Sequence, residues 1–299
     1  MQDNESEQPP KGQEAASGDD VAVNAISPGG GATENGPYTA PASLASEAEI
    51  GPKPEGNSSK SEGNGSKPEA KSWGARHPWL SRIAIGLAVV TGLVLGSLVL
   101  YRFVNPPITS VMIVEKLRGE TLKRSWVPLE KISPHMRLAV IASEDGNFCT
   151  HGGVDWAAVR DVLEAAKNLE AVRGASTIPM QVAKNIYLWE FRSYLRKALE
   201  VPLAYALVSV WPKRRVLEVY LNVAQFGPGL FGVEAASRRY FRKPASALTQ
   251  REAVLLATTL PKPKVRNPAR PNRTHRAVAN AVQKRLPYIA KRADCIVNR

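Results

Sequence analysis

The sequence predicts a mainly α-helical protein in three parts: an acidic tail, one membrane-length apolar helix, and a basic helical domain behind it. Three observations predict this. Residues 1–70 carry 12 Asp/Glu against 4 Lys/Arg and almost no aromatic side chains. Ile83–Tyr101 runs for 19 residues without a charge. From Ser133 onward helix caps, apolar spacing near 3.6 residues and proline stops recur, and no strand-rich stretch of useful length appears before residue 290.

The tail (1–70) is rich in Gly, Ser, Pro, Asn and Glu. It cannot bury enough apolar area to offset chain entropy, so it is read as disordered and cytoplasmic. Residues 71–82 form a basic juxtamembrane segment. Lys67, Lys71, Arg76 and Arg82 precede the apolar run, and Trp73 and Trp79 can anchor it at the interface. Residues 83–104 are the expected transmembrane helix, since 19 residues at helical rise span ~28 Å, close to the hydrocarbon thickness of a bilayer. Gly86, Gly92 and Gly96 are tolerated there better than in a soluble helix. Only Arg102 lies close after the run, so the positive charge places the N-terminus in the cytoplasm and residues 105–299 outside.

Beyond residue 70 the chain holds 36 Lys/Arg against 15 Asp/Glu. A basic domain suits nucleic acid or an anionic membrane surface, and net charge does not choose between them. The predicted orientation counts against nucleic acid.

After Pro106-Pro107, residues 105–132 read as a membrane-proximal linker with short strands, such as Ser110–Val114. The domain proper covers 133–290. Ser133-Pro134 places an N-cap before a proline at the first helical position, and His135–Ser143 follow with helical apolar spacing. Asp155 can cap a helix running to about Leu169. Pro212 opens another, with Val216, Leu217, Tyr220 and Leu221 on one face. Thr249–Glu252 is a capping box for the helix that Pro261 should stop. Residues 291–299 are a C-terminal tail. Cys149 and Cys295 are too few for a disulfide framework; one bridge and two free thiols both stand. No spacing suggests a metal site.

Four segments carry chemistry. In Ile141–Gly153 an apolar helix stops at Glu144 and Asp145, with Phe148, His151 and Gly152 close behind. A carboxylate at such an end is either simply solvated or a desolvated general base with a raised pKa. Arg173–Asn185 is a Gly/Ser/Thr loop running into a helix. Its free N–H groups, with Gln181 and Lys184 alongside, suit an anionic or sugar ligand as well as a plain capped helix. Arg192, Arg196 and Glu200 fall on one helix face with Lys197 beside them, as a solvated salt-bridge face or as a cationic cradle around a carboxylate. Tyr220–Gly232 is a helix ending in an aromatic, Gly-rich loop.

The blocks EDGNFCTHGGVD, RGASTIPMQVAKN, RKALE and VLEVYLNVAQFGPGLFGVEAASRRYFRKPASALTQREAVLLATTLP cover roughly residues 133–268. In this order and spacing they resemble the glycosyltransferase domain of peptidoglycan polymerases, carbohydrate-active glycosyltransferase family 51. No penicillin-binding serine motifs follow, so the expectation is a monofunctional member. The resemblance implies a lysozyme-like glycosyltransferase fold and polymerisation of lipid II into β-1,4 glycan by an inverting displacement that releases undecaprenyl diphosphate. It implies Glu144 as general base and Glu200 near the donor diphosphate, with Lys184, Arg192 and Lys197 stabilising the leaving group. Asp145, Phe148, His151, Gly152, Ser176, Thr177, Gln181, Asn185 and Arg196 complete the expected substrate-binding set. No cofactor is required, although a divalent cation (Mg or Mn) can assist near the diphosphate in some members. The implied partners are lipid II, the growing glycan strand and the bacterial inner membrane, with division or cell-wall synthesis proteins as further candidates.

Departures from the family pattern are Ala175, Met180, which lacks a glutamine's hydrogen bonds, and Pro202, expected to kink or loosen the helix after Glu200. A lytic, lysozyme-like enzyme is a second reading. The basic residues argue against it, since glycan cleavage produces no diphosphate. A non-catalytic scaffold is a third, disfavoured because Glu144, Lys184, Arg192, Lys197 and Glu200 are all retained.

Overall fold

The computed structural model describes residues 78–165, 176–191 and 193–296. The tail 1–70, Lys71, Trp73, Arg76, the Arg173–Ala175 loop, Arg192 and the last three residues lie outside these. So does the expected continuation of the Asp155-capped helix to Leu169.

Helix α1 (Pro78–Phe103) is continuous over 26 residues. Its Trp79–Phe103 portion is long and apolar enough to cross a membrane, with a mean hydropathy of 2.5 in its most apolar window. Most of its side chains are exposed, but its last turns are held by the domain. Leu98 is buried in the core. Trp211 Nε1 donates to Leu98 O at 2.6 Å, and Arg215 donates to Tyr101 O at 2.9 Å and Val104 O at 2.8 Å. Ser97 Oγ and Tyr187 OH hydrogen-bond at 3.1 Å.

The strand expected at Ser110–Val114 is instead the start of helix α2 (Ser110–Leu117). A five-residue apolar run fits either period. The choice is made by Thr109, whose hydroxyl accepts from Met112 N, and by burial of Val111, Met112 and Glu115 on one face. Ser110 Oγ then ties α2 to the end of α5 (Ile178–Tyr187) by donating to Asn185 O at 2.9 Å. The strands are β1 (Lys123–Arg124), β2 (Gln225–Gly227) and β3 (Leu230–Phe231), in the order β1-β3-β2 with β1 parallel and β2 antiparallel to β3. The β2–β3 turn needs Gly229, whose φ is +61° and whose Cβ, if present, would lie 2.5 Å from Thr121 O.

The core is built around α3 (Pro134–Glu144), which packs on α9 (Gln250–Ala257) and α10 (Arg273–Ala290). Helix α5 packs on α6 (Tyr194–Val210) and α7 (Lys213–Val223). Met136, Val140, Ile178, Val182, Leu217 and Tyr220 join these two groups in one buried cluster. A smaller cluster of Val154, Met180 and Ala204, with Val159 and Val201, seats α4 (Trp156–Ala165) against α5 and α6. Helix α8 (Val233–Phe241) covers the sheet.

Several local expectations are met. Thr249 and Glu252 form the capping box, and Asp155 accepts from Ala158 N at 3.0 Å. Helix α9 ends at Ala257, short of Pro261. Ser133 holds the N-cap position of α3, but its hydroxyl donates to Leu248 O at 2.9 Å rather than capping. Helix α6 runs through Pro202 without interruption. Cys149 and Cys295, 146 residues apart, are joined by a disulfide that ties the loop after α3 to the turn at Asp294–Ile296.

Candidate active site

The apolar face of α3 buries Met136, Ala139 and Val140, and so plants its last residue, Glu144, at the edge of a cleft. This cleft, of about 280 Å³, is bordered by Ser143, Glu144, Asn147, Ser176, Arg285 and Tyr288, among others. Ser143 Oγ donates to Glu144 Oε1 and Gln181 Nε2 to Oε2, each at 3.1 Å. Burial raises the Glu144 pKa; these two hydrogen bonds and the charges of Lys184 and Arg266 oppose the rise without cancelling it. The result is a carboxylate with a raised proton affinity, the property that the general-base reading of the helix end requires.

A second carboxylate, Glu200, is buried on α6. Helical spacing brings Arg196 and Lys197 to it from the preceding turn. The Arg196 guanidinium bonds Glu200 Oε1, and Lys197 Nζ lies 3.0 Å from Oε2. Lys197 Nζ also donates to Ser176 Oγ at 2.7 Å, so Ser176 links this cluster to the cleft that Glu144 borders. Lys184, on α5, is within electrostatic reach of both carboxylates. Burial lowers its pKa, Glu200 raises it, Arg196 and Lys197 lower it further, and Glu144 adds a smaller rise. Seven of the expected residues, Glu144, Ser176, Gln181, Lys184, Arg196, Lys197 and Glu200, are therefore linked in one site by hydrogen bonds, ion pairs and charge.

Other expected residues find polar partners inside the fold, as buried polar groups must, although Asp145 and Thr177 also border the cleft. The Asp145 carboxylate accepts from Ile178 N at 2.8 Å and pairs with His151 Nε2 at 2.8 Å. Phe148 is fully buried, with Lys213 Nζ 4.8 Å from its ring centroid. Thr177 caps α5 and donates its hydroxyl proton to Gly153 O. Asn185 is buried where α2 meets α5. Gly152 is exposed, whereas Gly153 (φ +121°) packs so tightly that a Cβ would lie 3.0 Å from Ala204 O. Met180, which lacks a glutamine's amide, lies in the small apolar cluster behind the site. Asp145, Phe148 and His151 thus brace the loop that follows Glu144, and Thr177 ties the start of α5 to it through Gly153.

Three contributors escaped the sequence reading. Arg266 follows α9, donates to Thr258 O and exerts its charge on Glu144. Lys213 donates to Phe148 O at 2.6 Å and His151 O at 2.7 Å. Tyr220, read only as a core position, donates to Gln181 Oε1 at 3.0 Å.

The family model described as Transglycosylase matches residues 111–291. Among curated relatives, the biosynthetic peptidoglycan transglycosylase of Rhizobium etli is 42% identical over 232 residues, covering 77% of this chain and 99% of the relative. The protein of the same name in Brucella suis biovar 1 is 44% identical over 219 residues (71% and 98%), and that of Pasteurella multocida 46% over 206 residues (67% and 84%). With a desolvated carboxylate, a cation-held carboxylate and a lysine that feels the charge of both, and with matches of this extent, the chain belongs to the transglycosylase family.

Proposed function

We propose that the protein is a peptidoglycan glycosyltransferase of cell-wall biosynthesis that polymerises lipid II. The acceptor is the GlcNAc 4-hydroxyl of an incoming lipid II. The donor is the reducing-end MurNAc of the growing strand, α-linked to undecaprenyl diphosphate. Glu144 removes the hydroxyl proton as its oxygen attacks the donor C1. The bond from C1 to the diphosphate oxygen breaks, and the leaving group departs with its electron pair. Lys184, Arg196 and Lys197 stabilise the negative charge that develops there, with Arg192 expected to join them. A single displacement turns the α linkage into a β product.

One observation carries this reading: the desolvated carboxylate and the Arg/Lys-held carboxylate both act electrostatically on Lys184. A lytic enzyme needs a carboxylic acid but has no diphosphate to neutralise. Both Glu200 oxygens are engaged by Arg196 and Lys197, and among the described residues no group of three His, Cys, Asp or Glu could hold a metal.

The proposed setting is the bacterial inner membrane, with α1 spanning once, the N-terminus cytoplasmic and the domain periplasmic. Exposed Phe191, Tyr194, Leu195, Leu199 and Tyr205 lie on or beside α6, the helix that packs on α1, and suit a lipid-facing surface near a lipid-linked substrate.

Detergent-solubilised protein given lipid II should lengthen glycan and release undecaprenyl diphosphate. Glu144→Gln should lower that rate by about 10²–10⁴-fold, the usual contribution of a general base, with an unchanged circular dichroism spectrum. Near-normal turnover in this variant would sink the base assignment. Cutting of preformed sacculus without polymerisation would favour the lytic reading.

A further inference from the structure

We propose that Tyr220 is a positioning residue: it fixes the Gln181 side-chain amide so that its N–H group, and not its oxygen, meets Glu144. The inference rests on Glu144 acting as the base. The three groups form a chain from the core to the cleft. Tyr220 OH lies 3.0 Å from Gln181 Oε1, and Gln181 Nε2 lies 3.1 Å from Glu144 Oε2.

A glutamine amide is nearly symmetric in shape and opposite in polarity at its two ends, so shape alone cannot orient it. A hydroxyl at one end can. Tyr220 is fully buried on α7, and burial, reinforced by the nearby Glu144 and Asp145 charges, keeps its phenol protonated far beyond working pH. Its proton needs an acceptor inside the fold, and Gln181 Oε1 is the one in reach. With the oxygen held there, the NH₂ group is left for the carboxylate. The reversed amide would press its oxygen against ionised Glu144.

The charged and titratable groups around Glu144 come from every element packed on it. Lys184 lies on α5 and Arg266 beyond α9, while Asp145 follows in the chain. Asp155 at the start of α4, and Arg285 and Tyr288 on α10, border the same cleft. Lys184 and Arg266 favour the carboxylate whichever way the amide points. Only the Gln181 contribution changes sign with amide orientation, and Tyr220 sets that orientation from a distance, touching no substrate.

Tyr220→Phe removes one hydroxyl from a buried ring. The amide is then free to turn, and Glu144 loses its assured donor. The acid limb of kcat/KM should move to higher pH by about one unit, the usual worth of a hydrogen bond to a charged group. Gln181→Met, with Tyr220 intact, should move it by a similar amount. The double variant should move it no further than Gln181→Met alone. A Glu144 carboxylate titration left unmoved by Tyr220→Phe, with the kinetic limb unmoved too, overturns the proposal. So does an added shift of the same size when Gln181 is already Met, since Tyr220 would then act by another route. The Glu144 carboxylate should also be titrated directly, as the infrared difference between each protein and its Glu144→Gln counterpart. A carboxylate titration that moves without the kinetic limb keeps the positioning role and rejects Glu144 as the base, so the two readings fail separately.

Discussion

Lys213 shows how much of this site is support. Its ammonium group has three donors, and two carbonyls and an aromatic face, all in the loop after Glu144, receive it. Replacing it with Met keeps the stem and removes every donor. Each buried carbonyl left without one costs roughly 1–3 kcal/mol, so Lys213→Met should lower the melting temperature and speed amide exchange across residues 148–153. An unchanged melt would show that the loop is held by other means. Glu144 itself carries the opposite burden. Its raised pKa means that between the unfolded and folded values the native state binds more protons than the unfolded chain. Stability therefore falls as pH rises through that window and stays lower above it. Glu144→Gln, which mimics the protonated acid, should be more stable than the parent protein at neutral pH. The gap should close in acid, as paired thermal melts at two pH values will reveal.

Helix α6 carries the leaving-group side of the proposed reaction and contains Pro202, two residues beyond Glu200. The missing N–H leaves Ala198 O without its helical donor, and an interior proline costs up to about 3 kcal/mol relative to alanine. Pro202→Ala should raise the unfolding midpoint. Because Arg196 and Lys197 lie in the turn before and hold Glu200 directly, lipid II turnover should survive the change; a large loss would mean that Pro202 itself aims the carboxylate. The sequence made such elements legible where the signal is local. Thr249 and Glu252 cap their own helix, and Arg196, Lys197 and Glu200 meet through helical spacing alone. It failed where distant chain decides. Ser110–Val114 has no period of its own, and packing against α5 makes it helical. Phe148 sits beside reactive residues in sequence, yet Lys213, far along the chain, claims its ring and its carbonyl. The Tyr220–Gln181–Glu144 chain joins three helices, and no spacing rule could have announced it.

Across the whole molecule the Cys149–Cys295 bond closes a long loop, joining the segment that carries Glu144 to the end of the chain. Such a bond persists in an oxidising compartment, in keeping with the proposed periplasmic domain. Replacing both cysteines with serine should cost about 2–4 kcal/mol, read as a lower denaturant midpoint that reductant no longer affects. The other long-range tie is the grip of Trp211 and Arg215 on the last turns of α1. A flexible leash would let the domain roam above the bilayer, meeting its substrate at any elevation. A spliced joint does not. With Leu98 already inside the core, α1 is joined to the domain rather than leashed to it, so in a membrane the depth of the proposed span would set the height of Glu144 and Lys184 over the lipid. In the proposed setting the anchor would work as a depth gauge, matching the level of the site to a diphosphate that can rise only as far as its own lipid allows.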